Sequence, residues 1–231
     1  TLAYSANESV GEKEDEKISF VELFFTILFA FGIAIVLFLL LPLYLSRIIV
    51  HGDGFLFNLI DGVIRIMLFM VYFLIISRFK DVKRIFEYHG AEHKVVHAFE
   101  AGVELTPENA DKYSTLHPRC GTSFLIMVML LSILIFSLIP KDWPFIEKFL
   151  SRFFLMPLIA GLSYEFIKFS SKKLNNPFVR IMAMPGLWLQ KLTTGVPSRD
   201  QIEVAIKALK EVLILDPERA KSIGSENNVV G

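Results

Sequence analysis

The stretch Leu23–Leu41, LFFTILFAFGIAIVLFLLL, decides the fold class, because it carries no charged side chain from end to end. At about 1.5 Å per residue, a helix of this length crosses the ~30 Å hydrocarbon layer of a bilayer. Pro42 kinks or ends that helix, which resumes to Ile49, so residues 18–49 are predicted as a first transmembrane segment. The whole chain has 231 residues, 53% of them hydrophobic, with a mean hydropathy of +0.52. A soluble domain is nearer 45–50% apolar, and here the excess is gathered into runs, which points to a membrane protein. The formal net charge is zero, so no nucleic-acid partner is expected. A single cysteine excludes an internal disulfide.

Upstream of the first run, residues 1–17 are polar, with the charge run Glu12–Lys17 and no basic start or small-residue cleavage site. They read as a mobile arm. Thr1 is an unusual first residue for a whole protein, which implies residues before it. Downstream, His51–Gly54 reads as a turn. Residues 55–79 form a second span. Within it Asp61 and Arg65 lie four apart on one helical face, where they pair inside the protein or snorkel at headgroup level. Residues 80–120 are a polar insert. In it a helix runs from about Asp81 through Ala101 and stops at Gly102; Thr106-Pro107-Glu108 then opens a short helix to about Thr115.

Residues 121–139 carry no charge and are predicted as a third span, followed by a turn with the interfacial Trp143. Residues 149–171 form a fourth, kinked at Pro157 and containing Arg152, Glu165 and Lys168. Residues 175–197 are apolar but broken by Pro177, Pro185 and Gly186, so they are expected to lie along the membrane surface. Ser198-Arg199-Asp200-Gln201 is a capping box opening an amphipathic helix over 198–215. Its face of Ile202, Ile206, Leu209 and Leu213 docks on this chain or on a second copy. Residues 216–231 are expected to be disordered. The expected fold is therefore all-α: four transmembrane helices, a cytoplasmic helical insert and an amphipathic C-terminal helix. Lys and Arg concentrate in the insert and the C-terminal part, which puts both termini and the insert in the cytoplasm.

The chemistry is concentrated in the insert. Glu87–His97 reads EYHGAEHKVVH and is answered by His117-Pro118-Arg119-Cys120. His89-x-x-Glu92-His93 places two imidazoles four apart on one helical face, in the H-x-x-E-H pattern of inverted zinc peptidases, where the Glu is the general base. His117 and Cys120 lie beyond a loop and offer a third and fourth ligand. Two to three His with a Cys favour zinc. Three ligands leave chemistry open, while four make a closed structural site. The reading admits other roles. His97 continues the i, i+4 series as a ligand or a polar support. Cys120 is a ligand, a nucleophile activated by His117, or a small buried residue. Glu100 and Glu104 read as solvated. Arg119 meets a lipid phosphate or a carboxylate. Glu165 seeks a polar partner inside the protein, the site included.

Four blocks in order, EYHGAEHK (Glu87–Lys94), HPRCGTSF (His117–Phe124), GLSYE (Gly161–Glu165) and PGLWLQKLTT (Pro185–Thr194), resemble the bacterial YqhQ-like membrane protein family. The resemblance covers roughly Phe20 to Leu215. It implies a polytopic protein of the bacterial cytoplasmic membrane, in a family described as a domain of unknown function and a predicted metal-dependent enzyme. It also implies that His89, Glu92, His93, His117 and Cys120 are shared polar positions, with Glu165 and Trp188 in matching blocks. The glycine-rich opening segment of that family, of the type G-G-Q-A-V-M-E-G, has no counterpart here.

Together these readings lead to a zinc-dependent membrane hydrolase at the cytoplasmic face. His89 and His93 hold the ion, His117 with or without Cys120 completes the set, and Glu92 takes a proton from an activated water. The substrate is a membrane peptide or a lipid. The main alternative is a non-catalytic membrane scaffold, chaperone or assembly factor, with a structural metal or polar knot and a membrane-protein client or a second copy as partner. A transporter using Asp61, Arg65 and Glu165 is a third reading.

Overall fold

The computed structural model describes residues 19–50, 54–139 and 143–215. The expectations for the arm 1–17, the tail 216–231 and most of the 51–54 turn lie outside these residues. Every regular element described is helical: α1 (Phe20–Ile35), a π-helical turn (Val36–Leu40), α2 (Leu41–Ile49), α3 (Phe55–Ile76), α4 (Lys80–Glu100), α5 (Pro107–Ala110), α6 (Gly121–Ser137), α7 (Phe145–Lys172), α8 (Pro177–Thr193) and α9 (Arg199–Leu215). The chain divides into two units between Phe69 and Met70.

In the first unit, α1 opens on a capping box: Ser19 Oγ accepts from Val21 N, and Ser19 N donates to Glu22 Oε2 at 2.9 Å. The helical ladder widens into the π turn just ahead of Pro42, which has no N–H to offer the carbonyl of Phe38. Pro42 thus neither ends nor sharply interrupts the run, and Phe20–Ile49 continues as one apolar rod. Asp61 and Arg65 pair at 2.8 Å on α3.

Among the described residues, three helical stretches are long and apolar enough to cross a membrane: Phe20–Ile49, Phe55–Ile76 and Leu150–Lys172. The expected third span, α6, is apolar but only 17 residues long. None of the α1 residues is buried, and large side chains such as Phe25 and Phe29 are exposed, as surfaces made for lipid are.

The second unit positions the site. α6 packs on α7 and α8, and α4 packs on α9 and α5. The α8 segment was expected to be broken; it is instead one helix with Pro185 inside it. Tertiary packing overrides the local preference there. At Gly186 a Cβ would come 2.8 Å from Ser123, so only glycine lets α8 lie this close to α6. The apolar face of α9 docks on this chain: Ile202 and Ile206 pack with Ala91, Val95, Ala98 and Ala110. The capping box at Ser198 forms, with Ser198 N donating to Gln201 Oε1 at 2.8 Å and Gln201 N to Ser198 Oγ.

Candidate metal centre

Helix α4 carries two stripes. Ala91, Val95 and Ala98 face α9, while His89, His93, His97 and Glu100 recur at helical spacing toward the 115–120 loop. The helix is held from both ends of the unit. Gly195 N donates to Phe86 O at 2.7 Å, and Gly90 lies so close to the Gly195 carbonyl that a Cβ would collide with it. Lys94, buried at 7% exposure, donates to Asp111 O and Asp111 Oδ1 at 2.6 and 3.0 Å.

Three side chains converge. The ligand atoms of His89, His93 and Cys120 all lie within 4.8 Å of one another. His89 Nδ1 sits 2.8 Å from the Thr193 carbonyl, and His93 Nδ1 is hydrogen-bonded to the Thr115 carbonyl. A carbonyl can only accept, so both rings carry a proton on Nδ1 and turn Nε2 away from the carbonyl. His89 Nε2 lies 3.2 Å from Cys120 Sγ. A backbone carbonyl behind each imidazole is the arrangement that fixes the tautomer of metal-binding histidines.

Cys120 caps α6, with Sγ accepting from Thr122 N at 3.4 Å. Burial pushes the thiol up, but hydrogen bonds with His89, His93 and Thr122 outweigh burial and hold it at about 5. The same bond to Cys120 raises His89 above its ordinary value, against the pull of burial. A thiolate and two imidazoles, whose Nε2 atoms an ion could take in place of the proton shared with Cys120, fit a zinc-type ion.

His117 goes elsewhere. With His97 and Glu100 it forms a second group whose candidate ligand atoms also lie within 4.8 Å. Its Nδ1 accepts from Arg119 N at 3.2 Å, so the proton is on Nε2, which donates to Glu100 Oε2 at 3.3 Å. Arg119 Nη2 holds the other carboxylate oxygen at 2.8 Å. Burial pushes the Glu100 carboxyl up; the hydrogen bond and charge of His117, with Arg119, outweigh it and leave it below its ordinary value. His97 donates Nε2–H to Leu116 O at 2.9 Å and stacks on Tyr113; burial leads in lowering its pKa. Both nitrogens of His117 are engaged in hydrogen bonds within this second group, which lies beside the first. The rings of His93 and His117 are 5.7 Å apart, centroid to centroid.

Glu92 is exposed on α4 and belongs to neither group, though its charge reaches His89 and raises it. Glu165 is exposed on α7 and also belongs to neither group. Glu100, read from the sequence as solvated, is half-buried and bonded to two partners; its place eleven residues after His89 puts it on the histidine stripe, which is the signal for it. The residue that sequence reasoning missed is Gln190. Completely buried, it accepts from His117 N at 2.8 Å and donates to His117 O at 2.8 Å and Ser123 Oγ at 2.6 Å. It clasps the loop that delivers Cys120. Its trace in the sequence is an amide among the apolar residues of the block PGLWLQKLTT.

An all-helical protein with membrane-length apolar helices and a His–His–Cys cluster is the class that this fold and site define. The chain belongs to the family described as "Protein of unknown function (DUF1385)", whose model matches residues 1–214. It is similar to the "Uncharacterized protein YqhQ" of Bacillus subtilis (strain 168), with 34% identity over 171 residues, 74% of this chain and 54% of that relative. The chain thus spans about half the length of the curated relative it matches. No solved structure matches it. The resemblance seen in the four sequence blocks is a true family relationship.

Proposed function

We propose that this chain is a zinc-dependent hydrolase of the bacterial inner membrane, with its centre at the cytoplasmic surface. The observation that carries the reading is the convergence of His89, His93 and Cys120, each imidazole backed by a carbonyl. Three protein donors are the number that catalytic zinc sites use, while closed structural sites use four. The engagement of His117 with Glu100 supports the smaller number. When bound, zinc would supply Lewis-acid polarisation and a lowered pKa for water.

The chain's own residues do the rest. The Thr193 and Thr115 carbonyls hold the two rings in their tautomers. Glu92, which lies outside the ligand group but whose charge reaches His89, is the base in this reading: it takes a proton from the attacking water and returns it to the leaving group. Hydrolysis bonds the water oxygen to the electrophilic atom, breaks its bond to the leaving group and protonates that group. The substrate is a membrane peptide or a lipid.

In this reading α6 also crosses, since 17 residues lie at the lower end of spanning lengths. Four crossings put both termini and residues 80–120 on the cytoplasmic side, in keeping with the Lys and Arg distribution. The apolar face of α9, read from the sequence as docking on this chain or a second copy, packs on α4.

Metal analysis of the purified chain tests the reading. About one zinc per chain is expected. Cys120→Ser and His89→Asn should lose it, while Glu92→Gln should keep the zinc and lose turnover. A wild-type chain that stays zinc-free after metal loading would sink the proposal, and so would full turnover in Glu92→Gln.

A further inference from the structure

A groove of about 460 Å³ opens between the first turn of α6 and the C-terminal half of α7. Its walls include Arg119, Cys120, Phe124, Tyr164, Ile167 and Lys168. The volume falls within the ~300–1,000 Å³ of small-ligand sites. Cys120 is common to this groove and to the His89–His93 group, so an occupant lies against the candidate metal centre.

Two cations face the groove and no carboxylate lines it. Arg119 commits Nη2 to Glu100 and keeps its side chain 41% exposed. Lys168 is exposed and makes no ion pair among the described residues. The remaining walls are mostly apolar: Phe124 from α6, and from α7 the buried Ile167 and the ring of Tyr164. Tyrosine joins an apolar body to a polar tip, which suits the boundary between headgroups and hydrocarbon. Lysine and arginine at helix ends commonly snorkel to that boundary one by one. Here both converge on one apolar slot that ends at the Cys120 thiol of the candidate metal centre.

A cationic rim over an apolar floor is complementary to an amphiphile with an anionic head. A zwitterionic headgroup would set its own ammonium against Arg119 and Lys168, and a free anion would leave the apolar walls without a partner. We propose that this groove binds an anionic phospholipid, its phosphate at Arg119 and Lys168 and its chains along Phe124 and Ile167, and presents it to the adjacent centre. The lipid's role as substrate rests on the zinc-hydrolase reading; its binding does not.

Native mass spectrometry of the full chain in neutral detergent tests this, with short-chain phosphatidylglycerol, short-chain phosphatidylcholine, inorganic phosphate and an acidic peptide as separate probes. Zinc is counted on the same samples. Phosphatidylglycerol should bind best, and Lys168→Gln should weaken it about tenfold, the loss of one charge-assisted contact, with zinc unchanged. Lys168→Glu should weaken it further; both variants change an exposed side chain, so folding is preserved. Equal binding of the two lipids, indifference to Lys168→Glu, or phosphate or peptide binding as tightly as phosphatidylglycerol would overturn the lipid site. A chain that prefers phosphatidylglycerol but takes up no zinc would leave the lipid site standing and overturn its role as substrate site.

Discussion

At the scale of single residues, the site depends on where protons sit. Cys120 is held at about 5 against an ordinary 9.0, because the bonds from His89, His93 and Thr122 outweigh burial. A folded-state value below the unfolded one stabilises the fold fully above the unfolded value, and that contribution is lost as pH falls through about 5. In metal-free protein, the pH profile of alkylation at the single cysteine should therefore have its midpoint near 5; a midpoint near 9 would show that the pairing with His89 does not form. Gln190 makes a second prediction. Gln190→Ala would strip partners from the backbone N–H and carbonyl of His117, at about 1–3 kcal/mol for each buried group left unpaired. Thermal unfolding should shift down, and zinc affinity should fall although no ligand has changed. Unaltered zinc affinity would show that the clasp does not position Cys120. The histidines and Cys120 were legible in the sequence because few other residue types bind metals. The division of labour between Cys120 and His117 was not, since spacing along a chain does not say which nitrogen of a ring is already occupied.

At the scale of elements, local signals did well wherever the backbone decides. The caps at Thr106 and Ser198 form as their sequences predict, and Gly102 takes a left-handed φ of 67° at the end of α4. They failed at Pro185, where close packing of Gly186 on Ser123 carries a helix through a residue that normally disrupts one. Helix α9 is the outer support of α4: Ile206→Ala should cost about 2–5 kcal/mol in unfolding free energy by opening a cavity against Ala91, Val95 and Ala98. The hydrophobic period announced a face of this kind, and only the folded chain could identify its partner. A loss under 1 kcal/mol in denaturant unfolding would mean that α9 is not packed on α4 as described.

At the scale of the whole molecule, the open quantity is topology. The proposed four-crossing topology would place the loop after Gly102 in the cytoplasm and the turn at Trp143 outside. Alkaline phosphatase fused after Gly102 should be inactive, and fused after Pro144 it should be active; the reverse pattern, or activity at both sites, would remove the cytoplasmic centre. The sequence by itself determined that this is a helical protein with membrane-length apolar runs, because backbone groups in lipid must be satisfied within their own segment and a long apolar run can only become a helix there. It also named the polar residues available for chemistry. Only the tertiary structure decided which of them meet. The meeting of His89, His93 and Cys120 depends on carbonyls at Thr115 and Thr193, an amide at Gln190 and glycines at 90, 186 and 195, all positions whose role is contact across the fold. Contacts between distant segments follow from packing and leave no periodic trace in the chain.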